Sequence, residues 1–140
     1  MFMKISTDIA TFDIPLIHRF LSQESTWAKD IPLATVELSL RHSLCFGGFE
    51  DGQQIAFARV VTDLATFAYL MDVFVVSEQR GKGHSKTLMR AVMEHSELQG
   101  LRRFMLASSN ARGLYQGFGF SAPAKPEILM EINNSDIYKK

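Results

Sequence analysis

Apolar positions fall into runs of helical and strand-like spacing along the chain. Leu16, Ile17, Phe20 and Leu21 follow Asp13-Ile14-Pro15 at helical spacing, and Leu33, Val36, Leu40 and Leu44 follow its echo, Asp30-Ile31-Pro32. Both echoes predict helix starts: an aspartate can accept from the free first-turn amides, and a proline there forfeits no hydrogen bond. The stretch 22–29 between them predicts a loop carrying Trp27. Leu44 to Phe49, the turn pair Asp51-Gly52 and the run Gln54 to Val61 predict a β-hairpin. Thr62-Asp63 begins a second turn, and Thr66 to Val76 is then apolar at both parities, as in a central strand buried on both faces.

Strand patterning stops at Ser77 to Gly83. His84 to Glu97 predicts a helix with Leu88, Ala91, Val92 and His95 on one side. Leu101 to Ala107 predicts a short strand, and Ala111 to Gln116 a short helix closed by Gly117. Phe118 to Ser121 and Ile128 to Ile132 supply final strand material, while 133–140 is polar and expected to fray. The expected architecture is a single α/β domain over 1–140. Its mixed, mostly antiparallel sheet carries helices on both faces, with one strand–helix–strand unit at 66–107.

Composition narrows the function. Apolar residues make up 46% of the 140 and charged residues 21%, a globular balance. Lys+Arg and Asp+Glu both number 15, so no global positive field favours nucleic acid, although a local basic patch stays open. The lone Cys45, between Leu44 and Phe46, reads as a small buried hydrophobe before it reads as a nucleophile. Without a disulfide framework a reducing compartment is favoured. No apolar signal core follows Met1-Phe2-Met3-Lys4, and the apolar stretch 67–76 is too short for a bilayer and contains Asp72. A soluble cytoplasmic protein without a membrane partner is expected. His18, His42 and His95 are scattered and have no Cys or carboxylate at ligand spacing, so no metal is expected.

The strongest chemical signal is Arg80-Gly81-Lys82-Gly83-His84-Ser85-Lys86, between the long strand and the next helix. Glycines let backbone approach a ligand, and a helix start offers free N–H groups and the positive end of its dipole. Arg80, Lys82 and Lys86 add charge, so the junction suits a phosphate. The P-loop spacing is missing, and the third glycine of a dinucleotide fingerprint would fall on Lys86. The bland alternative is a glycine-rich loop that only turns the chain.

The segment resembles the acyl-CoA-binding motif Gln/Arg-x-x-Gly-x-Gly/Ala of the GNAT superfamily of N-acetyltransferases. Arg80, Gly83 and Ser85 fall on its three defined positions, with Ser85 departing from the usual Gly or Ala. Leu114-Tyr115-Gln116-Gly117-Phe118-Gly119-Phe120 resembles the family's closing Leu-Tyr-x-x-x-Gly-Phe signature, with Ala111 where a small residue is usual. Motif similarity covers about 72–120, and the N-terminal part matches in layout only.

The resemblance implies acetyl-CoA as co-substrate, its pyrophosphate on the amides of Arg80, Gly81, Lys82, Gly83, His84, Ser85 and Lys86. It lays the pantetheine arm along the backbone of Val73, Phe74 and Val75, where an amide of Phe74 or Val75 could polarise the thioester carbonyl. Tyr115 matches the family tyrosine that protonates the departing thiolate. The alternative for Tyr115 is an aromatic that packs the short helix on the sheet. Asp72 is the candidate base for the amine, directly or through water, since a carboxylate in a two-sided apolar strand is unusual. Its alternative is a structural pair with Arg59. Ser108 occupies a place where many relatives carry a cofactor-contacting Asn, and Asn110 lies two residues on; neither carries over firmly. His84 is expected to face solvent on the loop. Trp27 could wall the acceptor pocket or simply pin its loop to the core.

The expected activity is acetyl transfer from acetyl-CoA to a primary amine, more often of a small molecule than of a protein tail. A different acyl donor or acceptor atom is the second enzymatic reading. A non-catalytic acyl-CoA-binding module is the rival from another class. An exposed final strand could also pair with another subunit, giving a homodimer.

Overall fold

In the computed structural model, which describes residues 2–139, five strands form one sheet in chain order. They are β1 (Lys4–Ser6), β2 (Leu44–Glu50), β3 (Gln53–Thr62), β4 (Phe67–Val75) and β5 (Arg103–Leu106). Neighbours from β1 to β4 are antiparallel, and β4 and β5 are parallel. The expected mixed, mostly antiparallel sheet is therefore present. Asp51 and Gly52 turn β2 into β3 with φ of 52° and 77°, the paired left-handed conformation that a two-residue hairpin requires.

Helices cover both faces. On one face lie α1 (Ile14–Arg19), prolonged by a π-helical turn at Phe20–Glu24, and α2 (Leu33–Arg41). Their Ile17, Phe20, Leu21, Val36 and Leu40 pack with Cys45, Phe57 and Phe74 from the sheet. On the other face, α3 (His84–Glu94) buries Leu88, Met89 and Val92 against Phe46, Ala58, Val60 and Leu70. Each of these three helix side chains is wholly buried, worth about 1.5–3 kcal/mol of transfer free energy apiece. Tyr115 of α4 (Arg112–Gln116) joins the same core.

Asp13 caps α1 as expected, its carboxylate accepting from Leu16 N–H at 3.1 Å. Asp30 does not repeat this: its φ is 64°, and α2 starts only at Leu33, behind a Pro32 cap with no side-chain bond. The first strand, β1, escapes the sequence patterning because three residues carry too little periodicity. The predicted helix 84–97 ends at Glu94, where His95 takes up extended backbone and caps a 3-10 turn over Ser96–Leu98.

The expected strands at 118–121 and 128–132 do not form. Phe118 and Phe120 instead fold back on α4, both amides donating to Tyr115 O. Pro126 begins a 3-10 turn at Pro126–Ile128, and Pro123 and Pro126 carry no N–H for a ladder.

One irregularity shapes the site. Phe57 pairs with Phe74 and Arg59 with Met71, so Ala58 faces two residues, Asp72 and Val73. Asp72 has φ 57°, the left-handed first position of a β-bulge. The bulge reverses side-chain parity: Ala68 and Leu70 face α3 before it, Val73 and Val75 after it, and Phe74 turns to the α1–α2 face.

Candidate active site

β5 pairs with β4 only from Phe67↔Arg103 to Leu70↔Leu106, whereas β4 continues through the bulge to Val75. The two strands part there, and a cleft of about 580 Å³ opens between them. Tyr69, Met71, Asp72 and Val73 line one wall and Leu106 to Ala111 the other, with Thr26, Trp27 and Tyr115 completing it. Of the residues singled out from sequence, Trp27, Asp72, Val73, Ser108, Asn110 and Tyr115 meet here. Phe74 and Val75 offer backbone alone, because their side chains are buried in opposite cores.

The loop from Arg80 to Lys86 lies outside this lining, where β4 delivers the chain to α3. Gly81 and Gly83 have φ of 78° and 82°, and a side-chain carbon added at either would meet nothing within 4 Å. Their requirement is conformational, and the space above them is open to a ligand. The first helical bond of α3 runs from Thr87 N–H to Gly83 O at 3.2 Å, so the amides ahead of it have no helical acceptor. Two of the loop's cations are tied locally: Arg80 Nε donates to Val75 O at 3.1 Å and Lys82 Nζ to Gln79 Oε1 at 3.1 Å. These amides, open glycines and half-free cations fit an anionic phosphate group.

His84 departs from expectation. It is the first residue of α3 and only 8% exposed, not a solvent-facing loop residue. Its Nε2 has no hydrogen-bond partner; Glu50 Oε2, at 3.8 Å, is beyond hydrogen-bonding range. Its ring packs inward, so its backbone amide is what it presents to the loop.

Asp72 is engaged on both oxygens. Oδ2 accepts from Arg59 Nε at 2.9 Å, and Oδ1 accepts from the indole N–H of Trp27 at 2.7 Å. Arg59 also donates to Ser43 Oγ at 3.1 Å, and Ser43 donates to Ser39 O at 2.7 Å. A relay thus runs from the cleft to the C-terminal end of α2. Pairing with Arg59 is the arrangement that sequence offered as the alternative to a base. The bond to Trp27, 45 positions away, was not foreseen. Trp27 keeps 53% of its surface exposed while Ser25 pins its loop, donating to Leu21 O and accepting from Ala28 N–H.

Tyr115 is 8% exposed, and burial raises its phenol above the ordinary 10.0, keeping the proton on oxygen at neutral pH. Cys45 lies beneath the relay; desolvation pushes its thiol up to about 12, outweighing the opposing pull of Arg59. It is an inert core residue, as its neighbours implied. Thr26, Tyr69 and Met71 were missed from sequence, although Tyr69 and Met71 share one parity of β4 just ahead of Asp72.

The model of the acetyltransferase (GNAT) family matches residues 14–120. The chain belongs to that family. A solved structure of a candidate GNAT-family acetyltransferase from Xanthomonas campestris pv. campestris is 58% identical and superimposes with a TM-score of 0.97, covering 100% of this chain and 99% of the other. A Gibberella zeae protein described as a candidate acetyltransferase is 31% identical over 133 residues, spanning 79% of this chain and 74% of its own length. An aminoglycoside N-acetyltransferase in complex with CoA shares the GNAT fold at 21% identity and a TM-score of 0.67, with 95% of each chain covered. The family match ends at Phe120 and leaves the C-terminal segment outside it.

Proposed function

We propose that this chain is an N-acetyltransferase that moves the acetyl group of acetyl-CoA to a primary amine of a small acceptor. The parting of β4 from β5 carries the reading: it leaves a strand-width opening lined by Val73, Ser108, Asn110 and Tyr115, and the glycine loop follows at the end of the same β4. Bound acetyl-CoA supplies an acyl group activated as a thioester. Arg80 to Lys86 hold its pyrophosphate with backbone amides, and the backbone of Val73, Phe74 and Val75 takes its extended arm. An amide of Phe74 or Val75 supplies a donor to the carbonyl oxygen. As the amine nitrogen bonds the carbonyl carbon and the C–S bond breaks, Tyr115, kept protonated by burial, gives its proton to the sulfur; the proton lost by the amine passes to solvent, from which the phenol is reprotonated. Ser108 and Asn110 face this path from the opposite wall.

We read Asp72 as the anchor of Trp27, because each of its oxygens already holds a donor. Trp27 then presents its ring to the acceptor. Neutral overall charge supports a small acceptor over a nucleic acid. No helix among the described residues is long and apolar enough to cross a membrane, and we place the enzyme in the cytoplasm, where its lone thiol stays reduced.

Release of CoA thiol, followed against a panel of small primary amines and lysine peptides, tests this. Thiol release with a small amine supports the reading. Tight CoA binding with no thiol release from any acceptor would instead mark a non-catalytic module, and release confined to peptides would overturn the small-acceptor assignment.

A further inference from the structure

α1 and α2 cover only part of their face of the sheet. Phe57 and Phe74 are buried beneath them, but Val61, further along β3, is 40% exposed. Val61 pairs with Tyr69 across the ladder, so the two share a face. Ala68 and Leu70 face α3, and alternation turns Tyr69 and Met71 to the uncovered side, where both are half-buried. An open apolar floor thus borders the cleft on the face opposite α3.

Trp27 lines the same cleft. Two contacts fix its ring: the indole N–H donates to Asp72 Oδ1 at 2.7 Å, and the ring lies 6.5 Å from that of Phe20, centroid to centroid. Over half of its surface is nevertheless left open, 53%. A large aromatic that is fixed in place and uncovered loses little entropy on meeting a ligand.

Charge restricts what that ligand can carry. Among the described residues that line the cleft, Asp72 alone is charged, and Arg59 Nε neutralises it at 2.9 Å. A second ammonium or a carboxylate on the acceptor would leave water for a wall that offers it no free counter-charge. The reacting amine has a different need, because it attacks only as the neutral base. Loss of water in a cleft walled by Trp27, Tyr69, Met71 and Leu106 favours that neutral form, and the proton leaves to solvent.

We infer that the acceptor is a monoamine whose reacting nitrogen is its only ionisable group and whose body is a flat apolar ring, laid over Tyr69 and Met71 against Trp27. This rests on the acetyl-transfer reading and adds the class of acceptor to it.

Rates of CoA thiol release at saturating acetyl-CoA test it with amines that differ in one feature. Phenethylamine should exceed hexylamine in kcat/KM about threefold or more, for the ring. Hexylamine should exceed hexamethylenediamine, and phenylalaninamide should exceed phenylalanine, each about tenfold or more, for the second charge. Thr26→Glu sets an unpaired carboxylate at the exposed rim of the cleft and should bring hexamethylenediamine level with hexylamine. Tyr69→Leu should erase the preference for the ring and Tyr69→Phe should keep it, both with an unchanged KM for acetyl-CoA. Equal or inverted preference within either charge pair, or a ring preference intact in Tyr69→Leu, overturns the acceptor class and leaves acetyl transfer standing. Release confined to lysine peptides does the same. No thiol release from any of these amines or peptides fails the acetyl-transfer reading itself, and this inference with it.

Discussion

Along Val73 to Lys86 the features that suit a ligand belong to the backbone, whereas the neighbouring set of Trp27, Asp72, Arg59 and Ser43 is built from side-chain hydrogen bonds. The first region rests on chain conformation: the left-handed Gly81 and Gly83, the unpaired amides of α3 and the strand edge that β5 leaves open. The second region rests on three elements brought into register, with bonds of 2.7 Å and 2.9 Å to one carboxylate. The first region should therefore fail through φ and the second through loss of a single polar group.

Asp72→Asn should have the largest effect, and on stability. It leaves the nearly buried Arg59 without its charge partner, a loss of about 3 kcal/mol in urea unfolding. Acetyl-CoA affinity should hold while the KM of the acceptor rises. Intact stability with a changed pH–rate profile would make Asp72 a base and erase the distinction between the two regions.

Tyr115→Phe should lower kcat about a hundredfold, close to 2.7 kcal/mol in barrier, with acetyl-CoA affinity barely changed. A phenol raised by burial keeps its proton through neutral pH, so the alkaline fall in rate that it causes should lie above 10.0. An unaltered kcat would reduce Tyr115 to a packing residue.

Gly83→Val tests the backbone region. A β-branched residue at φ 82° costs about 1–2 kcal/mol, and distortion of the loop should weaken acetyl-CoA binding about tenfold by calorimetry. An unchanged acceptor KM at saturating acetyl-CoA keeps the regions separable. Trp27→Phe should act least: loss of the indole bond to Asp72, about 1 kcal/mol, raises the acceptor KM several-fold and spares acetyl-CoA binding. Weaker acetyl-CoA binding in Trp27→Phe would show that the two regions are coupled.

Much of the proposed donor side was legible because its signals are local. Asp51-Gly52 turned the hairpin, the two-sided apolar run became β4, and the glycine loop opened α3 where it was expected. The proposed acceptor side was not legible as a unit, since Trp27 and Asp72 lie far apart in sequence and meet only in the folded chain. The same limit explains Asp30. It has the residues of a cap, but the loop tied by His18 Nε2 to Ile31 O at 2.9 Å holds it away from the helix. The strand expected at 128–132 does not form: Pro126 opens a 3-10 turn there, and Ile128, Met130 and Ile132 stay exposed.

What this sequence determined by itself were conformational preferences spanning a few residues: the turn, the first helix cap, the apolar periods and a glycine loop suited to an anion. Those preferences act within one stretch of backbone and need no distant partner. The tertiary structure alone decided where β4 bulges, where β5 lets go of it and which donors reach Asp72, because each depends on register between elements remote in the chain. The same packing turned His84 inward and opened the cleft beside Tyr115.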